Sequence, residues 1–274
     1  MTTQELAVGG HSKVFAQTYR TDRWWVGPLF TFLGFSSFIV YSTWAALQGN
    51  HYYYAPYLSP FYSPLLFVDP SVAGGAPLTH AWLGGWPAWW PAFVPASPAF
   101  LILAFPGAFR FTCYYYRKAY YRAFSFTPPG CAIGALPQKN YKGETFLLLF
   151  QNLHRYALYF ALLFIIILFS DAVQAFFREG KLGVGVGSIV LLLNATFLSC
   201  YTLGCHSFRH LVGGRLDCFS CDSKSQKRYG IWKRVTRLNE NHMLFAWVSL
   251  FWVGFSDIYV RLVSMGIVHD YNTW

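Results

Sequence analysis

Five long apolar runs punctuate this 274-residue chain, at roughly 24–48, 96–118, 145–169, 184–211 and 242–266. Each is near or above the roughly 20 residues that cross about 30 Å of hydrocarbon at 1.5 Å per residue, so the pattern predicts an all-α, five-span membrane bundle. A polar arm, 1–23, precedes the transmembrane domain 24–268, and a short tail, 269–274, follows it. Five crossings put the two termini on opposite faces. Seventeen of the 21 Lys and Arg residues fall in the arm, in 110–142 and in 209–237, which the alternation of spans places at or near one side. Arg178, Lys181 and Arg261 belong to the other side, and Arg155 lies inside the third run. Because cytoplasmic loops carry the excess of Lys and Arg, the N-terminus is expected inside and the C-terminus outside.

The connections differ in character. The outer one, 49–97, carries no Lys or Arg and a single acid, Asp69, among many Pro, Gly, Trp and Tyr residues. It is expected to lie in the headgroup layer as short re-entrant or amphipathic pieces. The inner connections, 119–144 and 212–240, read as basic loops, the first with a Pro128-Pro129-Gly130-Cys131 turn and the second opened by Gly213-Gly214, which stops the fourth helix. Thr21-Asp22 can cap a first helix opened by Trp24-Trp25. No internal repeat is evident.

Composition agrees with a membrane protein: 55% apolar, 21% aromatic and 12% charged residues leave too little polar surface for a soluble domain of this length. The net charge of +10 flanks the spans, which points to a solvated or lipid-facing rim and away from nucleic acid. The polar first 23 residues, followed by a run of full spanning length, show no cleavable signal peptide. Six Cys residues, mostly on the cytoplasmic side, favour reduced thiols or metal ligands over a disulfide framework.

Ligand-type side chains gather at one depth. Cys113 falls in the inner third of the second run, His154 in the inner half of the third, Cys205, His206 and His210 in the inner third of the fourth, and His242 at the inner mouth of the fifth. Ionisable residues at membrane depth usually face the bundle interior, where they pair, bind cofactors or line a pathway. A haem b would need two of the four His. A Rieske-type [2Fe–2S] cluster uses two thiolates and two imidazoles, as in Cys113, Cys205, His154 and either His242 or His210. Cys218 and Cys221 form a C-x-x-C that could formally join His206 and His210 in a zinc-like site. Trp25, Tyr116, Arg155 and Arg209 are candidates to line a quinone site, with aromatic faces for the ring and a cation or phenol for its carbonyl.

The runs Thr112 to Lys118, Asn152-Leu153-His154-Arg155-Tyr156 and Cys205-His206-Ser207-Phe208-Arg209-His210 carry a resemblance. With the five spans, the chain resembles the membrane-anchor (cytochrome b) subunit of succinate:quinone oxidoreductases and fumarate reductases, in the single-chain form of the actinobacterial-type branch. Dihaem members place one His on each of the first four spans. Here the first span has none and the second offers Cys113, so an iron–sulfur replacement for the inner haem is expected. The resemblance implies a multi-pass protein of the cytoplasmic (inner) membrane, a subunit of an enzyme whose flavoprotein oxidises succinate and whose iron–sulfur subunit passes electrons toward a quinone, menaquinone in this branch. The rival class is a transporter or proton channel using intramembrane His and Arg; unequal spans without a repeat argue against it.

Overall fold

A computed structural model describes residues 14–91, 93–136, 143–214 and 216–274. Residues 1–13 of the expected arm and 137–142 of the expected loop 119–144 lie outside the described residues, as do Lys13, Lys139, Lys142 and Arg215 of the basic set. The chain is mostly helical. Among the described residues, four helices are long and apolar enough to cross a membrane: α1 (Val26–Gln48), the Gln151–Gln174 part of α5 (Gly143–Gln174), α6 (Val186–Leu203) and α9 (His242–Ser264).

The second apolar run departs from the expected single rod. It is divided into α2 (Pro98–Ile102), α3 (Ala104–Phe111) and α4 (Tyr114–Lys118), continued by a wide π-type turn over Ala119–Phe124. Pro98 and Pro106 sit in the first turns of α2 and α3, where a missing N–H breaks no hydrogen bond. The true interruption is Cys113, whose extended backbone (φ −66°, ψ 129°) caps α4. The fourth run breaks in the same manner. After Gly204, Cys205 (φ −65°, ψ 142°) caps α7 (His206–Gly213). Gly204 is required because a Cβ there would lie 3.0 Å from the Leu238 carbonyl oxygen, and Asn239 Nδ2 donates to the Gly204 carbonyl at 2.8 Å.

The expected basic loop 212–240 is largely a helix, α8 (Ser223–Glu240). Its low overall hydropathy hid it, although Ile231, Trp232, Val235 and Leu238 recur at helical spacing and Val235 is buried. Asp222 Oδ1 accepts from Ser225 N at 2.5 Å at its start, and Arg228 donates through Nε and Nη2 to the Val212 carbonyl at 3.1 and 2.8 Å, tying α8 to α7. Just before it, Cys218 and Cys221 form a disulfide across 5.8 Å between Cα atoms, correcting the expectation of reduced thiols there. Asp22 does not cap the first helix: it pairs with Arg20, and α1 begins at Val26.

The connection 49–97 is folded inward. A two-residue hairpin pairs β1 (Tyr53–Tyr54) with β2 (Tyr57–Leu58), and Val68 bridges Gly85 in parallel. Tyr52, Tyr57 and Tyr62 are fully buried. Tyr52 and Tyr62 stack at 4.4 Å, and Tyr62 Oη donates to the Ala45 carbonyl at 2.6 Å, so the phenol's polar end is satisfied inside the core. Phe61, Leu65 and Val68 complete a cluster with Ala45, Ala46 and Val253. The tyrosines expected at the headgroups are therefore core residues of a cap on the α1 and α9 ends. A second hairpin, β3 (Phe177–Arg178) with β4 (Lys181–Leu182), links α5 to α6.

Under this cap α9 carries a buried ion pair, Arg261 Nε to Asp257 Oδ2 at 3.4 Å, one helical turn apart. Tyr41 Oη donates to Asp257 at 2.5 Å, Ser59 Oγ donates to its other oxygen, and Arg261 Nη1 donates to the Asn50 carbonyl at 2.9 Å. Arg261, expected on the outer face, is thus buried.

The chain divides into two compact units, Met1–Ser37 with Thr112–Asn152, and Phe38–Phe111 with Leu153–Trp274. In the first, Phe35 packs edge-on against Tyr116 at 4.9 Å, and the arm bonds to the 131–134 turn through Thr18 and Arg20. The cap, the ion pair and α6 to α9 belong to the second.

Candidate functional site

Within the second unit, His154 Nε2 lies 3.0 Å from Cys205 Sγ. The imidazole comes from the uninterrupted α5. The thiol comes from the break between α6 and α7, where it also accepts from Ser207 N at 3.3 Å. Both are buried, His154 to 7% and Cys205 to 2% of their exposure.

A chain of rings leads from this pair to the second buried imidazole. Phe109 of α3 stacks on His154 at 4.4 Å and meets Tyr201 of α6 edge-on at 5.4 Å; Tyr201 stacks on His242, the first residue of α9, at 5.0 Å. The Arg110 guanidinium lies 4.7 Å over Tyr201 and donates to the Ala246 carbonyl at 3.1 Å and to Ser249 Oγ at 2.9 Å. That explains a cation inside an apolar run: its fork is satisfied by α9 and an aromatic face. By sequence position Arg110 groups with the cytoplasmic basic set. Its position within an apolar segment was the signal that could have found it. Phe109 and Tyr201 gave no such signal, since aromatic residues fill every span.

A cavity of about 170 Å³ opens beside this chain of rings, with Ser42, Phe61, Phe109, Arg110, Tyr201 and Thr202 among its walls. It is mostly apolar with a few polar groups, the usual character of a site for a hydrophobic ligand.

The other expected residues are dispersed. Cys113 is buried in the first unit and caps α4 with nearly the backbone angles that Cys205 has at α7. Tyr116 is buried in that unit and Trp25 is half exposed. His206 and His210 are exposed on α7. Arg209 is occupied by α8, its guanidinium 4.4 Å over Trp232 and its Nε donating to Thr236 Oγ1 at 3.1 Å. Arg155 lines a different cavity, with His210 and Arg228.

The buried donors are Cys113 in the first unit and His154, Cys205 and His242 in the second. The geometry supplies one His–Cys pair; among the described residues no group of three or more His, Cys, Asp or Glu side chains is placed to hold a metal ion.

No curated protein matches the chain. Among solved structures, a chain of the Mycobacterium smegmatis Sdh1 complex in the apo form is similar, with 42% sequence identity, a TM-score of 0.81, and 96% of each chain covered. The family model for the actinobacterial succinate dehydrogenase subunit SdhC matches residues 26–266, a stretch that takes in all four spanning helices, both cysteine breaks and the chain of rings. With that match over nearly the whole chain, this multi-pass membrane protein belongs to the actinobacterial SdhC family, the membrane subunit of succinate dehydrogenase.

Proposed function

We propose that this subunit takes electrons from a soluble iron–sulfur subunit, itself reduced by a succinate-oxidising flavoprotein, and delivers them to a quinone, menaquinone by the resemblance of the chain. The observation that carries the reading is the shared wall: Phe109 and Tyr201, which stack on His154 and His242, also line the apolar cavity. A ligand there would touch residues that are themselves stacked on the two imidazoles. The apolar walls favour a prenylated ring and exclude water, while Arg110, Ser42 and Thr202 offer the few polar contacts that orient a carbonyl. This moves the quinone from the residues the sequence suggested, Trp25, Tyr116, Arg155 and Arg209, to the cavity beside the rings.

His154, Cys205 and His242 are the donors this unit offers a redox centre, with Cys113 the further thiol that the sequence suggests. A Rieske-type [2Fe–2S] group bound there would supply one-electron transfer. The pair at 3.0 Å and the repeated use of a cysteine at a helix break support this reading. Backbone interrupted at membrane depth persists where it is buried in protein, and both cysteines are buried.

The broken stretch from Pro98 to Phe124 supplies the fifth crossing, with the N-terminus cytoplasmic and the C-terminus outside, as the distribution of Lys and Arg supports. The test is EPR and optical spectroscopy of the assembled complex during succinate-driven quinone reduction. A low-g signal of Rieske type is expected. Haem bands alone would replace the cluster by haem b, and neither signal would leave the subunit without a centre of its own.

A further inference from the structure

We propose that the cavity between α5, α7 and α8 binds the phosphate of an anionic glycerophospholipid. Arg155, His210 and Arg228 converge on a space of about 490 Å³, together with Ser207, Leu158, Tyr159 and Leu211. No carboxylate lines it. Among the described residues the ion pairs are Arg20–Asp22 and Arg261–Asp257, both elsewhere, so the two arginines meet here without an acidic partner. Arg228 is fixed in place by two bonds to the Val212 carbonyl. Arg155 lies in the first turns of the apolar part of α5, Gln151–Gln174, and Tyr156, Tyr159, Leu163 and Ile166 are exposed along the same helix.

The chemistry of this place is specific. Like charges gathered with no counterion repel one another, and a phosphate diester relieves that with charge-assisted hydrogen bonds to the guanidinium groups. A lipid adds acyl chains that the exposed apolar residues of α5 can cover, which a free phosphate ion lacks. Tyr159 belongs to both parts, lining the cavity and facing outward.

The experiment uses the whole complex, purified in a neutral detergent and stripped of lipid, then titrated with phosphatidylglycerol, phosphatidylcholine or inorganic phosphate. Bound lipid is read by native mass spectrometry. Phosphatidylglycerol is expected to bind well ahead of phosphatidylcholine, and Arg155→Gln to weaken it about tenfold, the equivalent of roughly 1.4 kcal/mol. Arg155→Lys should recover part of the loss. Because Arg228→Gln also loosens α7 from α8, Arg155→Gln, on an exposed side chain, is the decisive variant. Equal binding of the two lipids, unchanged binding in Arg155→Gln, or displacement of the lipid by equimolar inorganic phosphate would each overturn the proposal. So would failure of the assembled complex to bind phosphatidylglycerol there, which would assign the cations to an acidic surface of a partner subunit.

Discussion

Cys205 has extended backbone at the break between α6 and α7, and that placement brings its sulfur to 3.0 Å from Nε2 of His154 on a neighbouring helix. A cysteine inside a continuous α6 would have its side chain fixed by the helix surface. At the break, the thiol is the cap of α7 and is oriented by Ser207 N.

Replacing Cys205 by Ala should therefore lower succinate-driven quinone reduction by more than about tenfold, the lower range seen when even an outer contact of a metal ligand is lost. Succinate oxidation with a soluble dye should persist in the same preparation. Equal loss of both rates would place Cys205 in assembly.

Filling the cavity tests the quinone position separately. Leu198, on its wall, can be replaced by Trp. Quinone-linked turnover should fall with a raised KM for quinone, while the EPR signal of the complex stays as in the parent. An unchanged KM would move the quinone elsewhere.

The spans that are legible in the sequence are those whose apolar run is uninterrupted, α1, α5 and α9. The breaks at Cys113 and Cys205 were not, because hydropathy averages over a window wider than the one or two residues at which the backbone turns out of the helix. Cysteine is apolar enough to hide there. The ligand types and their common depth were readable from residue identity; the rings joining His154 to His242 were not, since that requires knowing which faces of α3, α6 and α9 meet. The tyrosines of 49–97 misled for a related reason. Tyrosine suits an interface, yet Tyr62 finds its acceptor on Ala45 inside the protein.

The buried pair on α9 gives a stability prediction. Asp257→Ala leaves Arg261 buried with its charge uncompensated and should cost about 3–5 kcal/mol, seen as a large drop in the melting temperature of the complex. Asp257→Leu combined with Arg261→Met should recover most of it. A double variant as unstable as the single one would mean that Tyr41 and Ser59, not the opposite charge, are what the carboxylate serves.

Gly187 is set against the ring of Tyr57, and a Cβ would fall 2.5 Å from a ring carbon. Tyr57 cannot swing aside easily, because its hydroxyl donates to Asp270 at 2.7 Å. Gly187→Ala should destabilise by about 1–3 kcal/mol through overpacking, measured as a lowered melting temperature, with Gly107→Ala, which meets open space, as the neutral comparison.

The cap should also respond to acid. Burial holds His80 below its ordinary value of 6.5. The folded protein keeps it neutral where the unfolded chain would take a proton, so its contribution is intact above 6.5 and is lost as the pH falls below that value. Tyr53 Oη lies 3.4 Å from its Nε2, and Asp171 lines the same crevice. Protection factors of amides in 65–86, corrected for the intrinsic pH dependence of exchange, should fall between about pH 7 and about pH 5, and His80→Gln should flatten the change.

The cap has a consequence for traffic. Phe61, packed against Tyr41 and Phe38, forms part of the cavity wall on that side, and Tyr52, Tyr62 and Leu65 are stacked behind it without exposed surface. That packing closes the cavity on the side of the cap, so the quinone proposed to bind there would enter from another side, between helices. Its residence time would then depend on how readily the half-buried Phe164 and Leu168 of α5, which also line the cavity, give way, so that turnover would be set by side-chain packing as well as by redox chemistry.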